Sequence, residues 1–249
     1  DPAGRLWAGT ITGRDDAGGA SLYRLDPDLS TQRMLTGITN SNGLCWGLDA
    51  KTMYYIDTPT RQIQAFDYDR ASGAVSNGRV AFTVPDGMGH PDGMTIDAND
   101  TLWVAMFGGS AVRHFDPADG SLLDTVELPA SNVTSCALGG DELRDLYITT
   151  ARAGLDESRR EAQPAAGGLF RARVDVPGVP QHRFVESFEP AHQPWCPRGL
   201  PAPDTAQQKR TERRRHRDRH QQRRQDRHRV GEAERLQHAA LEAAQEEQR

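Results

Sequence analysis

Residues 100–116 read "DTLWVAMFGGSAVRHFD", and both halves of this stretch recur along the chain. In the first half a polar turn leads into a short β-prone run with an aromatic at its centre, "DTLWVAM" (100–106). The same shape returns as "GRLWAG" (4–9), "KTMYYID" (51–57) and "RDLYITT" (144–150). From Trp7 to Tyr54 is 47 positions, from Tyr54 to Trp103 is 49, and from Trp103 to Tyr147 is 44. The second half, "SAVRHFD" (110–116), has counterparts in "ASLYRLD" (20–26), "RQIQAFD" (61–67) and "AGGLFRA" (166–172). Three of these four end in an aspartate that opens a turn ("DPDLS", "DYDRASG", "DPADG"), a position where the Asp side chain bonds its own backbone. Third runs follow, for example "LLDTVEL" (122–128).

Short strands returning every ~40–50 residues with turn punctuation mark a β-propeller, one four-stranded blade per repeat. A β-sandwich of similar strand count competes, but a sandwich does not require the aromatic strand to return at a nearly fixed period. The fold class is therefore read as all-β, a partial β-propeller of about four blades over residues 1–186. Nothing in that span has the apolar spacing of a long amphipathic helix.

Composition divides the chain at the same place. Residues 187–249 hold 14 of the 30 Lys+Arg, 10 of the 35 Asp+Glu and 5 of the 8 His. The body, with 16 basic and 25 acidic residues, is therefore at −9 and the tail at +4, which sum to the net −5 of the 249-residue chain. Three cysteines, Cys45, Cys136 and Cys196, without CxxC spacing, indicate neither a disulfide framework nor a zinc finger. No apolar run is long enough to span a membrane. The sequence starts at "DPAGRLWAGT", already inside a strand-like pattern, so the lack of a visible signal peptide does not bear on export. The expected location is the cytoplasm.

The repeat also weighs the candidate site residues. Pro-Asp-Gly-Met occurs twice within "VPDGMGHPDGMTID" (84–97), carrying Asp86 and Asp92. Each aromatic strand is preceded by another short run, the expected innermost strand of its blade: "NGLCWGLD" (42–49), "DGMTIDAN" (92–99) and "TSCALGGD" (134–141). Asn42 lies 11 positions before Met53 and Asp92 lies 10 before Leu102, whereas Asp86 lies 16 before it, in the preceding connection. Equivalent positions on innermost strands converge on the propeller axis, so Asn42, Asp92 and Thr134 are expected at one channel mouth. An amide oxygen and a carboxylate there make an all-oxygen site for a hard divalent cation. Against this stands the plainer reading that Asn-Gly and Asp-Gly are turn dipeptides.

The stretches "SNGLCWGLDAKTMYYIDTPTRQIQAFDYD", "PDGMTIDANDTLWVAMFGGSAVRHFDP", "LPASNVTSCALGG" and "LYITTARAGL" resemble the regucalcin/gluconolactonase family, also called senescence marker protein. The resemblance covers about residues 1–186. It implies a six-bladed propeller with one divalent metal in the central channel, calcium or zinc in the first place and magnesium or manganese in others. It implies a hydrolase acting on the carboxylic ester bond of sugar lactones such as gluconolactone. On this resemblance Asn42 of "SNGL" matches a metal-ligand Asn, and Asp92 of "PDGM" matches the metal-ligand Asp that is also the catalytic base. Cys45 stands where the family usually has Asp, and is read as packing on a buried strand.

The departures shape the expectation. A third ligand, a Glu near the family's N-terminus, has no counterpart, nor do a substrate-binding Arg and Asn that precede "DPAGR". A family Glu before "SLY" finds only Asp15 and Asp16 nearby. The chain is thus expected to be a fragment lacking roughly the first two blades, with lactonase activity impaired and its substrate-binding residues unassigned. The alternatives are a non-catalytic calcium-binding propeller scaffold and an inactive gene-model fragment. The expected partner is a small sugar lactone, with no nucleic acid or membrane, and with oligomeric state left open. The tail is read as a disordered or loosely helical solvated segment, or as out-of-frame translation of GC-rich DNA. A nucleic-acid arm fits less well, because its Arg residues alternate with Asp and Gln and no aromatic is present for base stacking.

Overall fold

The structure, a computed structural model, describes residues 1–12 and 16–185. The expected tail of 187–249 and the boundary before it lie outside the described residues, as does Asp15.

Among the described residues, fourteen strands form four antiparallel sheets in chain order. The first sheet holds β1 (Leu6–Gly9), β2 (Ala20–Leu25) and β3 (Thr31–Ile38). The second holds β4 (Ser41–Trp46), β5 (Thr52–Asp57), β6 (Gln62–Tyr68) and β7 (Val75–Thr83). The third holds β8 (His90–Ile96), β9 (Leu102–Phe107), β10 (Ala111–Phe115) and β11 (Leu122–Glu127). The fourth holds β12 (Val133–Gly139), β13 (Asp145–Thr150) and β14 (Leu169–Arg173). In every sheet each strand pairs with the next in sequence. This is the blade topology of a propeller, and the chain is a partial β-propeller. The aromatic runs are β1, β5, β9 and β13, and the runs expected before them are β4, β8 and β12.

The core lies between blades rather than within them. One apolar cluster joins Cys45, Ile56, Ile63 and Phe82 of the second sheet, and Val84 just beyond it, to Met94, Ile96, Leu102, Val104, Met106 and Phe115 of the third. Another joins Trp103, Ala105 and Val112 of the third sheet to Cys136, Leu138, Leu146 and Ile148 of the fourth. Strand β9 shows why its run is so continuously apolar. Successive side chains point to opposite faces, so Leu102, Val104 and Met106 enter one inter-blade core while Trp103 and Ala105 enter the other. Cys45 is buried in the first of these clusters, which bears out its reading as a packing residue.

A six-residue helix, α1 (Glu157–Ala162), interrupts the pattern between β13 and β14. Asp156 caps it, accepting a hydrogen bond from the Arg159 backbone N–H at 2.8 Å, which satisfies one of the unpaired donors of a helix start. It buries no residue, so it leaves no apolar periodicity for sequence reading to find.

Candidate metal centre and its supporting carboxylates

The three innermost strands share one irregularity. Ser41 pairs with Asp57 and Leu44 with Tyr55, so Asn42 and Gly43 together face one residue of β5. Pro91 pairs with Met106 and Met94 with Val104, so Asp92 and Gly93 face one residue of β9. Val133 pairs with Thr150 and Ser135 with Thr149, leaving Thr134 as the extra residue. A β-bulge re-aims the side chain at the irregular position, and here it falls at the same place in three successive blades. Asn42, Asp92 and Thr134 are therefore equivalent, as the spacing predicts.

Asn42-Gly43 and Asp92-Gly93 lie inside strands, not in turns, which corrects the turn-dipeptide reading. Glycine is needed for a different reason. A Cβ added at Gly43 would stand 2.7 Å from the Asp92 carbonyl oxygen, and one at Gly93 would stand 2.8 Å from Ser135 Cα. The innermost strands approach too closely at the bulges for a side chain. Asp86 is the true turn residue: Gly87 has φ +82° with nothing within 4 Å of an added Cβ. The Asp86 carboxylate is fully exposed and stands 3.6 Å from Arg61 Nε.

Asp92 is half-buried in a setting that does not compensate its charge. Burial pushes its pKa up to about 6, and hydrogen bonding from the Asn42 amide and the Gly93 backbone only partly draws it back. Asn42 Nδ2 donates to Thr58 Oγ1 at 2.9 Å, which leaves its Oδ1 as the atom available to a ligand. Thr134 Oγ1 lies 2.8 Å from Thr149 Oγ1 and is bonded within its own blade. The structure thus brings Asn42 and Asp92 together across adjacent innermost strands and leaves Asp86 outside.

An amide oxygen and an uncompensated carboxylate fit a hard divalent cation. Among the described residues, however, no group of three or more His, Cys, Asp or Glu side chains is placed to hold a metal ion.

The other carboxylate of the 84–97 stretch behaves in the opposite way. Asp97, just beyond β8, is completely buried. Its Oδ1 accepts from the backbone N–H groups of Asn99 (3.0 Å) and Thr101 (3.2 Å) and from Thr101 Oγ1 (2.7 Å). Its Oδ2 accepts from Trp103 Nε1 at 3.0 Å and lies 2.9 Å from His114 Nε2. The Thr101 hydroxyl proton is spent on Asp97, so His114 Nε2, 2.7 Å from that hydroxyl, carries the proton. The Trp103 and His114 rings stack at 4.1 Å and 8°. Burial alone would raise the Asp97 pKa, but its bonds to His114, Thr101 and the backbone hold it below the ordinary value.

Asp1 repeats this design, accepting from the N–H groups of Ala3 and Arg5 and from Trp7 Nε1, each at 2.9 Å. Sequence reading did not single out this clasp. Its signal was present as an Asp six residues before a Trp, at Asp1/Trp7 and Asp97/Trp103.

The model of the SMP-30/gluconolactonase/LRE-like region matches residues 1–152. The chain belongs to this family. It is 48% identical over 178 residues to the Bacillus subtilis protein YvrE, whose name places it among the sugar lactone lactonases, covering 72% of this chain and 61% of that one. It is 43% identical over 188 residues to regucalcin of Danio rerio, covering 74% and 64%. A crystal structure described as a calcium-binding protein, regucalcin, from Agrobacterium tumefaciens aligns at TM-score 0.69 and 27% identity, covering 74% of this chain and 62% of that one. The chain therefore spans a little over three fifths of the length of these family members. No helix among the described residues is long and apolar enough to cross a membrane.

Proposed function

We propose that Asn42 and Asp92 are two protein ligands of a divalent-cation site, calcium or zinc before magnesium or manganese, that serves hydrolysis of sugar lactones. The observation that carries this reading is the matched bulge. It sets the Asn42 amide and the Asp92 carboxylate at matching positions of adjacent innermost strands, within hydrogen-bonding reach of each other. When bound, the cation would polarise the lactone carbonyl as a Lewis acid. Asp92 holds it and, being half-exposed, can also accept the proton of an attacking water as a positioned general base. Asn42 contributes an oxygen without charge, so the pair carries a single negative charge.

That low charge has a consequence. Calcium affinity follows the number of charged ligands and the rigidity of the site, so residues 1–249 on their own are proposed to hold a cation weakly and to turn over lactone poorly. That the Agrobacterium relative is described as a calcium-binding protein favours a second reading, in which cation binding persists without turnover. The two readings diverge in a single set of measurements. Calcium, zinc, magnesium and manganese are titrated into the chain, followed by NMR, and gluconolactone hydrolysis is followed in parallel. Binding on the order of 10⁻⁴ M or weaker is expected, centred on Asn42 and Asp92 and abolished by Asp92→Ala. Cation-dependent hydrolysis lost with the same substitution supports the enzyme, and binding without hydrolysis supports the scaffold. Perturbations that fall elsewhere, or that survive Asp92→Ala, would refute the site.

A further inference from the structure

Thr58 follows β5 and opens a single 3-10 turn, Thr58–Thr60. Its side chain spans two innermost strands. Oγ1 lies 2.9 Å from Asn42 Nδ2 on β4 and 2.8 Å from the Pro91 carbonyl oxygen on β8. The direction of these bonds follows from valence. A carbonyl oxygen can only accept, and a hydroxyl has one proton to give. That proton goes to Pro91, so toward Asn42 the hydroxyl can only accept. The carboxamide end that can donate is Nδ2. The Asn42 amide is therefore locked with its nitrogen toward Thr58, and Oδ1 is the end left for a cation.

We propose that Thr58 is a positioning residue for the cation site, an inference that rests on the reading of Asn42 as a ligand. It selects which atom of Asn42 faces the ion, and it ties the bulge bearing Asn42 to the residue immediately before Asp92. Register shows that the hydroxyl is particular to this blade. The residue before each bulge pairs with Asp57, Met106 and Thr150, so the places matching Thr58 are Phe107 and Ala151. Neither side chain can hydrogen-bond, and the residues that match Asn42 in those blades, Asp92 and Thr134, carry no amide.

The backbone around Thr58 is held by other means. Its N–H donates to the Asn40 carbonyl at 3.1 Å. The Asp57 carboxylate accepts from the N–H groups of Thr39 at 3.0 Å and Asn40 at 2.7 Å. Thr58→Val, which keeps the shape and removes the hydroxyl, is therefore expected to leave the entry into β4 intact.

Two measurements test the assignment in the full chain. The first needs no metal. The Asn42 side-chain NH₂ signals, observed by ¹⁵N NMR, are expected at a dispersed position with slow hydrogen exchange in the parent and in Thr58→Ser. They are expected to move toward the position of a solvated amide, with faster exchange, in Thr58→Val and in the smaller Thr58→Ala, which serves if the valine variant misfolds. The second is calcium titration, in which Thr58→Val weakens binding by about fivefold, the worth of one hydrogen bond, while Thr58→Ser stays within about twofold. Unmoved Asn42 signals in both the valine and alanine variants overturn the proposal. So does a serine variant that behaves like the valine one. Unchanged calcium binding in Thr58→Val also overturns it, and Asn42→Ala then locates the fault. If Asn42→Ala weakens binding, Thr58 was misassigned; if it does not, the cation reading of Asn42 has failed.

Discussion

The tetrapeptide Pro-Asp-Gly-Met occurs at 85–88 and again at 91–94, and the two copies do unlike things. In the first, Gly87 is glycine because the turn needs a left-handed backbone, with open space around it, and Asp86 reaches into solvent beside Arg61. In the second, Gly93 is glycine because β12 passes too close for a side chain, and Asp92 is turned by a bulge toward Asn42. Identical chemistry is a surface turn in one place and a packed inner strand in the other. What separates them is which copy falls on an innermost strand.

Alanine at the two glycines should expose this contrast most strongly. At Gly93 the new methyl meets Ser135 backbone and side chain, and overpacking of this kind costs about 1–3 kcal/mol. We expect the upper end, read as a fall in the urea midpoint at unchanged slope. A negligible effect would mean that the inner strands are not in close contact.

Next in size is a test within the same stretch, comparing Asp92 with Asp97. Asp97→Asn places an amide against the Trp103 and His114 donors and should cost about 2 kcal/mol, as for a buried group left with a mismatched partner. Asp92→Asn removes an uncompensated charge and should leave metal-free stability unchanged or slightly raised. The pH dependence follows from the sign of the Asp97 shift. Its folded pKa is depressed, so its contribution is present above the ordinary carboxylate value near 4 and is lost as pH falls through the folded value. Asp97→Asn should abolish this part of the acid sensitivity. Retention of the full parental acid transition in that variant would count against the clasp.

A smaller loss is expected at Gly87. Alanine there meets no neighbour, but must adopt φ +82°, at a cost of about 1–2 kcal/mol. We expect about 1 kcal/mol by denaturant unfolding. The smallest effect belongs to Asp86→Ala, whose exposed ion pair should be worth less than about 0.5 kcal/mol and whose loss should leave the calcium response unchanged. A calcium response that fell with Asp86→Ala as it does with Asp92→Ala would erase the distinction between the copies.

Sequence alone determined the repeat. Blade number, strand order and the equivalence of Asn42, Asp92 and Thr134 were legible because each blade solves one local problem: short strands with an aromatic at a fixed place, joined by tight turns that are led by Asp in three of the four repeats. Such problems are solved by neighbours in sequence, so they leave a period. It was also sequence that set Asp92 apart from Asp86, since register is counted along the chain. The bulges, the reason for Gly43 and Gly93, the Asp97–Trp103–His114 clasp and the role of Thr58 were decided only by tertiary structure. Each depends on the separation of groups on different strands: the Gly43 Cα from the Asp92 carbonyl, the His114 ring from Asp97, the Thr58 hydroxyl from Pro91. A hydrogen bond or a steric clash is settled within a few tenths of an ångström, and that distance is fixed by how the blades pack together, not by how far apart two residues are in the chain.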